Sequence, residues 1–105
     1  MAEIIWAPSS LKDIASIAAY IANDSAQAAQ NMVELFFEKS KILERYPLIG
    51  KPVPETKVKY LKEILISRYR IIYEVISEDE VHILSVRHQS RLLKNNPTFK
   101  KRLKK

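Results

Sequence analysis

The chain has 105 residues, no cysteine and only two histidines, with 47% apolar and 29% charged side chains. That suffices for one modest hydrophobic core and excludes a disulfide framework, a thiolate metal site and an obvious zinc cage. The net charge of +6 is uneven, because residues 1–50 hold four Lys/Arg against six Asp/Glu (−2) and residues 51–105 hold fourteen against six (+8). A basic second half suits an anionic partner, nucleic acid or acidic protein, or else forms a solvated basic face with a soluble tail. No apolar run approaches the roughly 18 residues of a membrane span. The start "MAEIIW" lacks the basic region of a signal peptide. A cytoplasmic protein with no membrane partner is the expectation.

In chain order, residues 3–7 ("EIIWA") read as a short strand closed by Pro8. Ser9 and Ser10 then offer N-caps, and Asp13, three residues after Ser10, approaches a capping box. Leu11, Ile14, Ala15, Ala18 and Ile21 at helical spacing predict an amphipathic helix over 10–22. "NDSAQ" interrupts it, and Asp24 or Ser25 caps a second helix. Ala28, Ala29, Met32, Val33, Phe36, Phe37 and Leu43 give that helix one broad apolar stripe, and Pro47 stops it. So short a link predicts an antiparallel helical hairpin, with the phenylalanines spent on packing.

Residues 47–59 ("PLIGKPVPETKVK") hold three of the five prolines and the single glycine, an irregular connection. Three strands follow, "YLKEILI" (60–66), "YRIIYEVI" (69–76) and "VHILSV" (81–86). The polar "SEDE" turns the last two, while the "SR" link between the first two lacks the usual hairpin glycine or Asn-Gly. The order of strand, two helices and three strands predicts an α+β fold, a small, largely antiparallel sheet with helices on one face. No helix remains for the other face, so function is expected there. Strand alternation puts Tyr69, Ile71, Tyr73 and Val75 toward the helices and Arg70, Ile72, Glu74 and Ile76 toward that open face. A guanidinium fixed on a strand is a planar fork suited to phosphate or carboxylate. The rival reading pairs Arg70 with Glu74 on the same face.

The Trp-containing first strand, "DIASIAAYIANDSAQAA", "YPLIGKPVPE", "YRIIYEV" and "VHILSVRHQSRLL", taken in order, resemble the RelE/ParE superfamily of type II toxins, known also from plasmid-stabilisation systems. The resemblance runs from about Ile4 to Leu93, implying one toxin domain over residues 1–93 and a separate basic tail over 94–105. It implies neutralisation by a cognate antitoxin that wraps the toxin. It also implies one of two activities, ribosome-dependent mRNA cleavage (RelE-like) or inhibition of DNA gyrase (ParE-like).

Metal-free RNA cleavage needs an activated 2′-OH, a stabilised phosphate and a protonated leaving oxygen. By that resemblance Arg70 matches the phosphate-stabilising arginine, Glu55 lies where some members carry a general base, and His88 lies near their C-terminal catalytic residues. Lys51, Lys62, Arg68, Arg87 and Arg91 are candidates to hold an RNA backbone or an antitoxin. Neither metal nor cofactor is implied. Each assignment has a structural rival, with Glu55 as a loop cap, His88 as a strand-end donor and His82 as a structural residue. Gln89 and Ser90 stand where the nuclease branch would carry a further arginine or tyrosine, and no tyrosine follows Tyr73. "HQS" and "YIANDSAQAA" look closer to the ParE-like branch. A degenerate toxin that keeps only antitoxin binding, and a plain nucleic-acid-binding module, stand as the other readings. The tail "KNNPTFKKRLKK" carries six positive side chains and is either a conditional helix or a disordered arm.

Overall fold

The computed structural model describes residues 1–90. Its elements are β1 (Glu3–Trp6), α1 (Pro8–Ala22), α2 (Ala26–Ser40), α3 (Ile42–Arg45), β2 (Lys51–Pro52), β3 (Leu61–Ile66), β4 (Tyr69–Ser77) and β5 (Glu80–His88). The expected tail over 94–105 and Arg91 lie outside the described residues.

Helix α1 starts earlier than the serines suggest. Ala7 is its N-cap and Pro8 occupies the first helical position, where a missing N–H costs nothing and the fixed φ already suits a helix. Ser9 and Ser10 are therefore inside the first turn, donating to the carbonyls of Leu84 and Ala7 at 2.7 and 2.6 Å. Asp13 does not close a capping box. Its carboxylate accepts from the Ser85 hydroxyl and the Val86 N–H at 2.7 and 3.0 Å, tying α1 to β5. In α2 the expected cap holds, since the Ser25 hydroxyl accepts from Ala28 N–H at 3.0 Å. The helix ends at Ser40 rather than running to Pro47, and α3 carries Leu43 into the core.

The sheet has five strands in the order β1-β5-β4-β3-β2. Strands β3, β4 and β5 form the expected antiparallel meander, β1 adds a parallel edge against β5, and β2 a two-residue antiparallel edge against β3. The hairpin of β3 and β4 turns through Ser67 and Arg68, and Ser67 adopts φ +57°, the positive value a tight two-residue loop needs in place of glycine.

Two cores follow from strand alternation. On the helix face Ile71, Tyr73, Val81, Ile83 and Val86 pack with Ile14, Phe36 and Leu43. Phe37 does not join them fully; its ring meets Trp6 tilted by 60°, with centroids 4.7 Å apart. On the other face Leu61, Ile72 and Leu84 are buried under Val53 and Val58. The face expected to be open is thus covered in part by the Pro-rich connection, an apolar strap in place of a helix.

Candidate functional site

The strap reaches the sheet because two anchors hold it. At its near end Gly50 N–H donates to the buried Tyr73 hydroxyl at 2.9 Å. A Cβ at Gly50 would lie 2.6 Å from that hydroxyl and 2.8 Å from the Glu63 carbonyl, so only glycine lets the chain pass this close. Burial pushes the Tyr73 phenol above its ordinary pKa, and the Gly50 N–H donation offsets part of that rise.

The second anchor is Arg70. Alternation places it on the strap side of β4, as expected, but the strap leaves it only 5% exposed. Its two Nη atoms donate end-on to Glu55 Oε1 and Oε2 at 2.6 and 2.7 Å. Its Nε and one Nη converge on Glu63 Oε1 at 3.1 and 2.6 Å. Glu63 is 3% exposed, and its other oxygen lies 3.8 Å from Lys51 Nζ. The carboxylates of Glu55 and Glu63 meet the buried Arg70 charge, and Lys51 offsets the second carboxylate, as burial of charge demands. The paired hydrogen bonds to Glu55, followed by the bonds and charge of Glu63, raise the Arg70 pKa above its ordinary value against the opposing effect of burial.

The structure brings Glu55 and Arg70 together and takes His88 elsewhere. His88 pairs in register with Tyr69, and its ring stands edge-on to Tyr69 at 5.6 Å, on the helix face. Arg70 and Arg87, one step along each strand, face the other way. The three candidates for nuclease chemistry therefore lie on two sides of one sheet. The basic candidates do not form one row either. Lys51 sits beside Glu63, Arg87 is half-buried opposite Arg70, Lys62 pairs with Tyr73, and Arg68 is exposed at the hairpin tip.

Glu63 is the residue that sequence reasoning missed. Its signal was the alternation of "LKEILI", which puts Leu61, Glu63 and Leu65 on one face, with Glu63 opposite Ile72 and two register pairs from Arg70. Glu74 stands on the same face of β4 as Arg70. Its register partners are Leu61 and His82. Among the described residues no three His, Cys, Asp or Glu side chains are grouped to hold a metal ion.

A second feature lies at the sheet's β3 edge. Strand β2 covers only Lys62 and Glu63, so no strand of the described residues takes the outer edge of Ile64–Ile66. Beside it an apolar cleft is lined by Leu35, Ile42, Ile49, Ile64 and Leu65, with Lys39 among its lining residues. Leu65 and Ile49 are half exposed, at 50% and 52%.

The model of the ParE toxin of type II toxin–antitoxin systems, parDE, matches residues 4–93. A curated relative, Toxin RelE2 of Caulobacter vibrioides, is 30% identical over 92 residues, spanning 88% of this chain and all of that one. The fold is similar to that of a chain in the chromosomal ParDE TA system from P. aeruginosa, with TM-score 0.69 at 19% identity over 84% of this chain and 96% of that one. The RelBE2 toxin–antitoxin complex of Mycobacterium tuberculosis gives TM-score 0.54 at 22% identity, covering 83% and 96% of the two chains. The YoeB/ParE toxin of Agrobacterium tumefaciens gives 0.53 at 20%, covering 84% and 98%. A match over nearly all the described residues, on a sheet and helical hairpin shared with these toxins, makes this chain a member of the ParE toxin family within the RelE/ParE superfamily, the toxin component of a type II toxin–antitoxin system.

Proposed function

We propose that this toxin arrests growth in the cytoplasm by a ParE-like inhibition of DNA gyrase, through binding rather than cleavage, and that a cognate antitoxin holds it in check. The observation that carries this reading is the state of Arg70. Its end-on fork is filled by Glu55, its side by Glu63, and His88 lies on the other face of the sheet. A phosphate-stabilising arginine needs free donors aimed at the reacting oxygen. Here those donors hold the strap that shapes the sheet's second face. The antitoxin's seat is assigned to the apolar cleft at the β3 edge, where half-exposed Leu65 and Ile49 adjoin unpaired strand backbone, the combination that suits an added strand with apolar side chains.

Ribosome-dependent mRNA cleavage is the second reading. It is favoured by the curated relative's name, Toxin RelE2, and by the direct contact of a carboxylate with Arg70. Two assays separate them. Purified gyrase is tested for loss of supercoiling, and a DNA-free translation system with preformed mRNA is tested for cuts by primer extension. Inhibited gyrase with intact mRNA is expected. Cuts that need the ribosome would overturn the gyrase reading, and activity in neither assay with antitoxin still bound would mark a degenerate toxin.

A further inference from the structure

The strap covers only the middle of its face, over Leu61, Ile72 and Leu84. Toward the turn between β4 and β5 the same side of the sheet meets water, with Ile5 39% and Ile76 47% exposed. Register and alternation set that face. Ile5 lies opposite His82, and His82 opposite Glu74, two residues along β4 from Ile72. Carboxylates rim this uncovered patch. Glu3 stands in register with Glu80 across β1 and β5, and the turn adds exposed Glu78 and Asp79. Like charges directly opposite one another on neighbouring strands are destabilising, so the patch suits a cation laid over it. The His82 ring contacts Glu80 but counts as a cation only when protonated.

The other end of the sheet has the opposite sign. Arg68 is exposed at the turn between β3 and β4, Arg87 lies close by on β5, and the Gln89 N–H bonds the Arg68 carbonyl. The described residues end there, at Ser90, and residues 91–105 follow from this positive end. Lys100, Lys101, Arg102, Lys104 and Lys105 gather the chain's last positive charges. Distance and charge agree. Glu80 is ten residues before Ser90, about 33 Å back along β5 at about 3.3 Å per residue. Lys100 and Lys105 are ten and fifteen residues after Ser90, within reach of about 33 and 50 Å of extended chain.

We propose that the uncovered patch of Glu3, Ile5, Glu80 and His82 is the seat of this chain's own basic terminus, residues 99–105. The lysines and Arg102 meet the carboxylate rim, and Phe99 and Leu103 supply the apolar cover that Ile5 and Ile76 lack. The tether makes the contact intramolecular, so it forms at an effective concentration of about 1 mM without a second molecule. Exposed charges are screened beyond about 10 Å at 0.1 M salt, so the contact weakens as salt rises. On the patch, the terminus withholds its positive charges from anionic partners such as nucleic acid. This surface is separate from the β3-edge cleft and from the choice of toxin target.

The test uses the full chain, which has no cysteine, so that Leu103→Cys carries a single nitroxide label. Amide signals are compared by NMR with the label oxidised and reduced. Expected is loss of signal at Glu3–Ile5 and Glu80–His82 under the oxidised label, reversed in high salt. The signals should recover when Glu3→Lys and Glu80→Lys are combined. They should recover equally with Lys100→Glu, Lys101→Glu and Arg102→Glu, which leave the described residues untouched. If the strand variant unfolds, the tail variant alone decides. No loss at these residues, loss centred on another face, or loss that survives the tail reversal would overturn the proposal. Equal loss in a mixture with nitroxide and isotope on different copies would give the patch to a second copy and overturn it too.

Discussion

Arg70 carries two roles that its neighbours divide between them. Glu63 lies on a strand and is fully enclosed, whereas Glu55 sits on the strap and touches water. Removing Arg70 leaves Glu63 as a buried anion with only Lys51 at 3.8 Å. Arg70→Met is therefore expected to cost about 3–5 kcal/mol, the usual penalty for breaking a buried pair. Glu55→Ala leaves Arg70 its Glu63 bonds and should cost less, about 1–3 kcal/mol. Urea unfolding of both variants checks the order, and an equal loss would mean that the strap-side carboxylate matters as much as the strand-side one. Strand alternation foretold the face of Arg70 but not its burial. With Arg70 only 5% exposed and its guanidinium held between two carboxylates, Arg70→Ala is likewise expected to destabilise the fold.

Tyr73 supplies the pH dependence at the same scale. Its folded pKa is raised, so the unfolded chain loses the phenolic proton first as pH climbs. The stability it lends is complete below the unfolded value, about 10, and is lost as pH rises through the folded value. Tyr73→Phe should cost about 1 kcal/mol at neutral pH through the lost Gly50 bond. It should also flatten the decline in stability above about pH 10, a comparison made by denaturant titration at neutral and alkaline pH. An undiminished alkaline decline in the variant would assign that decline to other groups.

Among the elements, the segments with a clear period were legible and the irregular ones were not. The stripe of α2, the Ser25 cap and the meander follow from local rules that tertiary contacts reinforce. The early start of α1 follows from Pro8, a signal that the adjacent serines obscured. Parallel pairing of β1 with β5 joins residues nearly the whole chain apart, which no local pattern can report. The strap's burial of Leu61 and Ile72 was equally hidden, because Val53 and Val58 stand among prolines and lysines with no period to read. The turn of β3 into β4 lacked its glycine, and the structure shows the consequence in Ser67 at φ +57°. A non-glycine residue there costs about 1–2 kcal/mol, while glycine loses about 0.5–1 kcal/mol more backbone entropy on folding. Ser67→Gly should then stabilise the protein by up to about 1 kcal/mol, seen as a higher midpoint in thermal unfolding. A lower midpoint would mean that the serine side chain makes a contact worth more than the strain.

For the whole molecule the decisive contrast is between the strapped face and the uncovered β3 edge. A lone half-exposed leucine is ordinary on a protein surface. Leu65 differs because it adjoins Ile42 and Ile49 along a cleft and sits where the sheet has no outer strand. If the antitoxin adds its chain there, Leu65 lies under the partner and a carboxylate in its place is stripped of water without a counter-charge. Leu65→Asp is expected to weaken antitoxin binding by at least about 30-fold, or about 2 kcal/mol, the threshold of a hot-spot residue. Stability of the free toxin should change by no more than about 0.5 kcal/mol, because the side chain is already half in water. Ile76→Asp is the matched control. Ile76 is 47% exposed on the same face, but lies roughly 20 Å along β4 from Arg70 at about 3.3 Å per residue. Calorimetry with the cognate antitoxin, and growth on co-expression, read both variants. Loss confined to Leu65→Asp would fix the seat at the β3 edge, while equal affinity for the two would move the antitoxin to another face.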